Sequence, residues 1–166
     1  MIFQDIPAST SLFIDANTFV YHFTPHPILQ PACSALLARI ARHEVLATTS
    51  THVVNDVAHR VMTTEAVAKF GWPVAGIAQR LRKHPAKIMQ LSLFRQAIDD
   101  INQFGVRIVV PPASINSAAA IVSQQYGLLS GDALIVAIMQ QFGLSSIASH
   151  DADFDRVPWI MRFSPA

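Results

Sequence analysis

The sequence LFIDAN, residues Leu12–Asn17, joins three apolar side chains directly to an aspartate. A short apolar run of this kind is typical of a buried strand in a parallel sheet, which places Asp15 at the C-terminal end of a first strand. Burying an unpaired carboxylate costs on the order of several kcal/mol. Asp15 therefore needs a hydrogen-bonding partner or a cation, unless it only caps a following turn or helix.

Composition limits the classes of protein to consider. A chain of 166 residues fits a single domain, residues 1–166, with a sizeable core. Hydrophobic residues make up 51% of the chain and charged residues only 14%, so part of the apolar surface is expected to pack on a partner, and a homodimer is predicted. A formal net charge of +1 gives no strong overall field, so nucleic-acid binding would require a local basic patch.

The number of cysteines and the lengths of the apolar runs indicate the cellular compartment of the protein. Cys33 is the only cysteine, which excludes an intrachain disulfide framework and a cysteine-based zinc site. The N-terminus lacks the basic start and apolar run of a signal peptide, and Ala133–Met139 is too short to span a bilayer. A cytoplasmic protein that does not enter the membrane is therefore expected.

Strand-like and helix-like segments alternate along the chain. Five strands are predicted, at Leu12–Asp15, Val45–Thr48, Val106–Val110, Ser146–Ser149 and Trp159–Phe163. The first two are expected to be buried and the last to be an edge strand. Helices are predicted at Ile28–His43, at Ser114–Tyr126 and at Ala133–Phe142, the last with Ser130 as N-cap. A further helix is predicted after the cap candidates Thr49, Ser50 and Thr51. The region 64–105 is predicted to be helical, with breaks around Gly71 and near Pro85. This alternation predicts an α/β fold, a three-layer α/β/α sandwich with a mainly parallel central sheet.

Aspartates follow these predicted strands or lie early in the helices beside them. Asp15 follows the first strand, Asp56 lies early in the helix after the second, Asp132 opens the helix before the fourth, and Asp151 and Asp153 follow the fourth. Because the C-terminal ends of parallel strands share one edge, these carboxylates are expected to gather there.

A group of oxygen ligands without histidine or cysteine spacing suits Mg²⁺ or Mn²⁺ better than zinc. Carboxylates in close proximity repel one another unless a cation is present, and a cation held by them can assist hydrolysis of a phosphodiester. The alternative is that Asp56 and Asp132 are favourable charges in the first turns of helices, and that Asp151, Asp153 and Asp155 form a solvated turn.

Four segments of the sequence resemble the PIN-domain nucleases, and in particular the VapC-type toxins of toxin–antitoxin pairs. They are FIDANT from Phe13, STHVVNDV from Ser50, LSGDALIVA from Leu129 and IASHDADF from Ile147, in the order of the family. The resemblance implies an α/β/α sandwich, binding of Mg²⁺ or Mn²⁺, and cleavage of an RNA substrate to 5′-phosphate and 3′-hydroxyl ends. It also implies a possible antitoxin protein as partner.

The resemblance also assigns roles to particular residues. Acidic catalytic roles fall on Asp15, Asp56, Asp132 and Asp151, and metal binding on Asp15, Asp132, Asp151 and Asp153. Asn17, Ser130 and Ser149 match small polar positions that orient water on the metal. The family usually has glutamate where this chain has Asp56, and the shorter side chain is expected to reach a metal through water.

Two readings of other classes remain open. In one, the acidic edge has lost catalysis and the domain is an interaction module in an RNA-associated complex. In the other, Asp15 is the nucleophile of a phosphatase or dehalogenase-like hydrolase. That chemistry usually places a second aspartate two residues on, where this chain has Asn17.

The densest basic stretch lies in the middle region and contains Arg80, Arg82, Lys83 and Lys87. It is a candidate for binding RNA phosphates, although such a run is more often a solvated helix face. Among the histidines, His52 and His150 lie near the aspartates in sequence, and both are interpreted as structural or supporting residues.

Overall fold

A computed structural model describes residues 1–166 and contains one sheet of five parallel strands. The strands are β1 (Ser11–Ile14), β2 (Leu46–Ser50), β3 (Arg107–Val109), β4 (Ser146–Ala148) and β5 (Met161–Phe163), and their order across the sheet is β3-β2-β1-β4-β5. All four pairings are parallel. The predicted parallel sheet and edge strand are confirmed.

Eight α-helices connect the strands. They are α1 (Ala16–Phe23), α2 (Gln30–Ala41), α3 (Thr51–Phe70), α4 (Ile77–Lys83), α5 (Pro85–Ile88), α6 (Leu93–Gln103), α7 (Ile115–Tyr126) and α8 (Ser130–Gln141). Right-handed crossovers place α1 to α6 on one face of the sheet and α7 and α8 on the other, because the chain reverses its direction across the sheet after β3. The three-layer α/β/α architecture is therefore the one predicted.

The strand order brings the ends of β1 and β4 together at the centre of the sheet. Phe13 pairs with Ile147 and Ile14 with Ala148, and the Asp15 amide donates to the Ala148 carbonyl at 3.1 Å. The connections from these two strands run to opposite sides of the sheet, which leaves a crevice above their C-terminal ends. The side chains that follow β1 and β4 therefore meet at one point.

Several predicted boundaries differ from the observed ones by a few residues. β2 begins one residue later than predicted and extends through Thr49 and Ser50, although both side chains are polar. Their burial is tolerated because the Thr49 hydroxyl donates to the Ile14 carbonyl at 2.9 Å, and Ser50 accepts from the Val53 amide as the N-cap of α3. Of the three cap candidates, Ser50 is thus the observed one.

The core lies on both faces of the sheet. Its largest fully buried side chains include Phe13, Phe19, Phe154 and Phe163. A second, smaller apolar cluster joins the end of α3 to α4, with Ala66, Ile77, Leu81 and Leu91 at its centre. The predicted helical middle region is confirmed, and its breaks fall at Gly71 and around Pro85, as expected.

No single helix is both long and apolar enough to cross a membrane. Only α7 and α8 taken together have the required length and composition, and they are bent by 112° at their junction.

Candidate active site

A cavity of about 540 Å³ lies above the C-terminal ends of β1 and β4. Four of the predicted acidic residues line it: Asp15, Asp56, Asp132 and Asp151. They come from the end of β1, from α3, from the first turn of α8 and from the segment after β4. The expected meeting of these carboxylates at one edge of the sheet is therefore observed.

Asp15 is the most buried of the four and is held by three hydrogen bonds. The residue is 7% exposed. Its Oδ1 accepts from the Ala16 amide at 2.6 Å, and its Oδ2 accepts from the Ser149 hydroxyl at 2.6 Å and from the side-chain amide of Asn17. Asp15 thus caps α1 and also lines the cavity.

Asn17 and Ser149 bind further groups around Asp15. The Asn17 amide also donates to the Ser149 hydroxyl at 3.0 Å, and its carbonyl oxygen accepts from the His150 backbone amide at 2.9 Å. The Ser149 oxygen accepts from the Asp151 amide at 3.0 Å. These two side chains therefore fix the loop after β4 against β1, and they contact Asp15 directly.

Burial raises the pKa of Asp15 to about 6, from an ordinary value of 3.8. The hydrogen bonds from Ser149 and Ala16 oppose this shift, as does the positive charge of Arg60, whereas the negative charge of Asp132 adds to it. The site therefore favours the carboxylate only weakly in the absence of a cation.

Asp132 lies among like charges. Its partial burial raises its pKa, and the nearby carboxylates of Asp151, Asp153 and Asp56 raise it further, while Arg156 opposes the shift. This mutual repulsion is the electrostatic property expected of a site for a cation.

Asp56 lies early in the helix that follows β2, as predicted. It lies in the second turn of α3, so a charge in the first turn of that helix is the wrong description. Its carboxylate is half-exposed and lies 3.7 Å from the guanidinium of Arg60, one turn further along α3. Part of its charge is thus balanced within the cavity.

Asp151 and Asp153 have separate roles. Asp151 lines the cavity, and its Oδ1 accepts from the Asp153 amide at 2.8 Å, which makes Asp151 the cap of a short 3-10 helix (Ala152–Arg156). The carboxylate of Asp153 forms an ion pair with Arg156 at 2.9 Å and does not line the cavity. Asp153 acts on the site through its charge near Asp132.

Ser130 does not join the acidic cavity. Leu129, rather than Ser130, is the N-cap of α8, so the helix begins one residue earlier than a Ser130 cap would place it, and Ser130 occupies its first position. Asp132 still lies in the first turn, as predicted. The Ser130 side chain lines a neighbouring cavity on the side of α7.

The basic stretch is remote from the acidic cavity. Arg80, Arg82 and Lys83 lie on α4 and Lys87 on α5, and none of the four lines the cavity. They lie beside the C-terminal end of α3. Phe70, at that end, is 14 positions after Asp56, which corresponds to about 21 Å along the helix. Arg80 lies over the Trp72 ring and Lys87 over the Phe70 ring, with distances to the ring centroids of 5.8 Å and 4.7 Å.

Sequence reasoning missed Arg60 and Tyr21, which line the cavity. A signal for Arg60 was present, because it follows Asp56 by four residues on a predicted helix, the spacing at which side chains meet. His52 and His150 line the cavity as well, and the Tyr21 ring packs edge-on against the His150 ring with centroids 5.7 Å apart.

No three histidine, cysteine or acidic side chains are close enough together to enclose a metal ion by themselves. The donor set nevertheless fits Mg²⁺ or Mn²⁺, since these ions keep several waters and need only one or two protein carboxylates. A carboxylate has about four acceptor positions, of which the hydrogen bonds to Asp15 use three. One position on Oδ1 remains for a cation or a water.

Comparison with known proteins agrees with this architecture. Residues 12–160 match the model of the PIN domain family. No curated protein sequence matches the chain.

Three solved structures share the fold. VapC20 of Mycobacterium tuberculosis, described as a Sarcin-Ricin loop cleaving toxin, aligns with a TM-score of 0.57 at 16% identity over 87% of this chain and 92% of its own. Two further structures align with a TM-score of 0.55 at 16% identity, over 93% of this chain and 98% of their own chains. One is VapBC2 from Rickettsia felis bound to a promoter DNA fragment, and the other is a toxin–antitoxin complex from Klebsiella pneumoniae. At this identity the likeness establishes the fold, and the family match over most of the sequence establishes that the chain belongs to the PIN domain family.

Proposed function

We propose that the protein is a metal-dependent endoribonuclease that hydrolyses phosphodiester bonds in RNA. The observation that carries the proposal is the convergence of Asp15, Asp56, Asp132 and Asp151 on one cavity above β1 and β4. Such a site repels anions when empty, and binding of a cation would make it attractive to the phosphate of a substrate.

Asp15, Asp132 and Asp151 are the proposed ligands of one or two Mg²⁺ or Mn²⁺ ions, with water completing the coordination of each ion. Asp56 would act through water, because it is half-exposed and already pairs with Arg60. When bound, the ion lowers the pKa of a water and offsets the charge that develops on the phosphoryl oxygens. Asp153 would contribute charge beside the site rather than a ligand.

The remaining residues of the cavity position these groups. Asn17 and Ser149 hold the Asp15 carboxylate in one orientation, so that little reorganisation is needed during the reaction. Arg60 provides a positive charge within the cavity that can pair with a phosphate oxygen of the substrate. Tyr21 and His150 form an aromatic edge on which an unpaired base can stack.

We further propose that the protein is the toxin of a toxin–antitoxin pair. The support is that two structures sharing its fold are toxin–antitoxin assemblies and a third is described as a Sarcin-Ricin loop cleaving toxin. The partner would be an antitoxin that covers the acidic cavity.

A homodimer is proposed from the apolar composition and from exposed apolar side chains such as Ile28, Met89 and Val110.

Cleavage of a mixed RNA pool in Mg²⁺, in Mn²⁺ and in EDTA tests the enzymatic proposal. Asp132→Asn should abolish cleavage and leave the unfolding midpoint of the metal-free protein equal or higher, because it removes a repelled charge. Asp99→Asn, on the exposed face of α6, is the matched control and should cleave like the native protein. The assignment would be refuted if Asp132→Asn cleaved RNA at the native rate, or if the native protein cleaved RNA as fast in EDTA as in Mg²⁺ or Mn²⁺.

A second candidate is an interaction module without catalysis. The observation that favours it is the Asp56–Arg60 ion pair in a cavity where no three ligands enclose a metal. The same experiment separates the two, because a folded, antitoxin-free protein that cleaves no RNA with either metal would favour the interaction module.

A further inference from the structure

A second cavity, of about 490 Å³, opens beside the acidic one, between α7, α8 and the start of α3. The two cavities share His52 and Gly131 as lining residues. A Cβ built at Gly131 would lie 3.7 Å from Nε2 of His52, so these two residues form the boundary between the cavities. A substrate held at the acidic cavity can therefore continue into the second one.

One face of α7 provides most of the lining. Asn116, Ala120, Ser123 and Gln124 follow one another at the spacing of a single helix face. No Lys, Arg, Asp or Glu side chain lines this cavity. It therefore lacks the cation that a phosphate needs.

The polar groups on this face are available to a ligand. The Asn116 side-chain amide donates to the Ala113 carbonyl at 3.2 Å, which leaves its second amide hydrogen and its oxygen free. The Gln124 side chain makes no hydrogen bond to another residue, and both side chains are exposed. Side-chain amides offer a donor and an acceptor side by side, the pattern that reads the edge of a nucleobase.

We propose that the cavity between α7 and α8 binds the nucleobase adjacent to the scissile phosphate, with Asn116 and Gln124 determining which base is accepted. The inference rests on the proposed ribonuclease function. The volume of this cavity falls within the range of small-molecule sites. Its lining combines side-chain amides with small apolar groups and carries no Lys, Arg, Asp or Glu, which complements the polar edge and apolar face of a base rather than a phosphate. The acidic cavity and its metal would then hold the phosphate, while the neighbouring cavity determines the position of the cut along the RNA.

The test uses variants of the full chain that leave the acidic cavity untouched. Asn116→Ala and Gln124→Ala remove the amides, and Ala120→Phe fills the cavity from an exposed helix position that tolerates the larger side chain. Asn102→Ala is the matched control, because Asn102 is also exposed and donates to a helix carbonyl, that of Ile98, at 3.0 Å. Ala38→Phe is the control for added bulk on an exposed helix position.

Two substrates separate the outcomes. Methyl p-nitrophenyl phosphate has no base, so its turnover with Mn²⁺ reports only the acidic cavity. A library of short single-stranded RNAs reports KM and the base beside the cut. Each amide variant is expected to raise KM for RNA by about threefold to tenfold, the loss expected for one hydrogen bond, to relax or change the base preference, and to leave turnover of the small ester unchanged.

Native KM and native base preference in all three variants would overturn the nucleobase site while leaving the nuclease intact. A changed oligomeric state in Ala120→Phe, with KM and preference unchanged, would overturn it in favour of a protein contact at this face. If the native protein turns over neither substrate, the proposed nuclease itself fails, and the nucleobase site fails with it.

Discussion

The Ser149 hydroxyl donates a hydrogen bond of 2.6 Å to Oδ2 of Asp15, although the two residues lie 134 positions apart in the chain. The contact exists because Ile14 and Ala148 are paired in neighbouring parallel strands, so the next residue of each strand reaches the same point. Ser149 also accepts from the amide of Asp151. One hydroxyl thus fixes two carboxylates of the acidic cavity relative to each other.

Ser149→Ala is expected to lower the unfolding free energy by about 1–3 kcal/mol, because buried partners of the hydroxyl lose a hydrogen bond. It should also raise the pKa of Asp15 further, since the hydrogen bond from Ser149 opposes the effect of burial. Urea unfolding and the pH dependence of kcat/KM for RNA measure the two effects, and the acid limb of the profile should move to higher pH. Ser164→Ala, whose hydroxyl contacts only a terminal backbone carbonyl, is the control. A destabilised variant with an unmoved acid limb would mean that Ser149 has no electrostatic effect on Asp15.

Asp15 should make the metal-free protein less stable as the pH rises. Burial raises its pKa from 3.8 to about 6, so in this interval the folded protein retains a proton that the unfolded chain has released. Its contribution to the unfolding free energy therefore falls as the pH increases from 3.8 to about 6, by about 3 kcal/mol in total. Urea unfolding in EDTA from pH 4 to 8 should show this loss in the native protein and not in Asp15→Asn.

Mg²⁺ should reverse this loss, because it binds the ionised site of the folded protein and not the unfolded chain. Its stabilising effect is expected to be larger at pH 7.5 than at pH 5 and to be absent in Asp15→Asn. Asp99→Asn, at an exposed position, should follow the native curve throughout. Parallel curves for the native protein and Asp15→Asn would contradict the raised pKa.

The gathering of four aspartates at one edge of the sheet could be predicted from the sequence for a physical reason. Asp15 stands directly after β1 and Asp151 three residues after β4. Because strands of a parallel sheet end at a common edge, the positions of these residues in the sequence indicate that they lie close together in the fold. The position of Arg60 depends on which face of α3 is turned to the cavity, which the apolar pattern of that helix indicates only coarsely. The cavity beside α7 depends on how two helices cross, and no local pattern encodes that angle.

Glu65 illustrates a buried carboxylate that sequence reasoning did not identify. It projects from α3 and accepts hydrogen bonds from the amides of Ser92 and Leu93, at 3.1 Å and 2.9 Å, at the start of α6. A negative charge is favourable at the N-terminus of a helix, and here it comes from a residue 27 positions away. The sequence around Ser92 therefore contains no capping carboxylate to recognise.

Glu65→Ala is expected to lower the unfolding free energy by about 2–3 kcal/mol, because it leaves backbone amides at the start of α6 without an acceptor. Glu65→Gln, which keeps one oxygen, should lose less. RNA cleavage should remain native in both variants at temperatures below their unfolding transitions. Glu44→Ala serves as the comparison, because its ion pair with Arg42 is exposed and screened by solvent, so its loss should change the unfolding free energy far less. An equal loss for Glu44→Ala and Glu65→Ala would show that Glu65 does not cap α6.

Arg60 is the positive side chain of the acidic cavity, and it has two electrostatic partners there. It pairs with Asp56 at 3.7 Å, and its charge opposes the rise in the pKa of Asp15. Arg60→Gln should therefore raise KM for RNA about fivefold to tenfold through loss of a phosphate contact. It should also move the acid limb of the kcat/KM profile to higher pH, because Asp15 holds its proton more tightly.

Arg95→Gln separates these effects from the general loss of one positive charge, since Arg95 is exposed on α6 and forms no ion pair. If both variants raise KM equally, the effect comes from overall charge rather than from the position of Arg60. If Arg60→Gln instead lowers KM, the guanidinium competes with the metal for Asp56 rather than holding substrate. Arg60 would then weaken RNA binding in the native protein, because the Asp56–Arg60 ion pair would have to open before RNA binds.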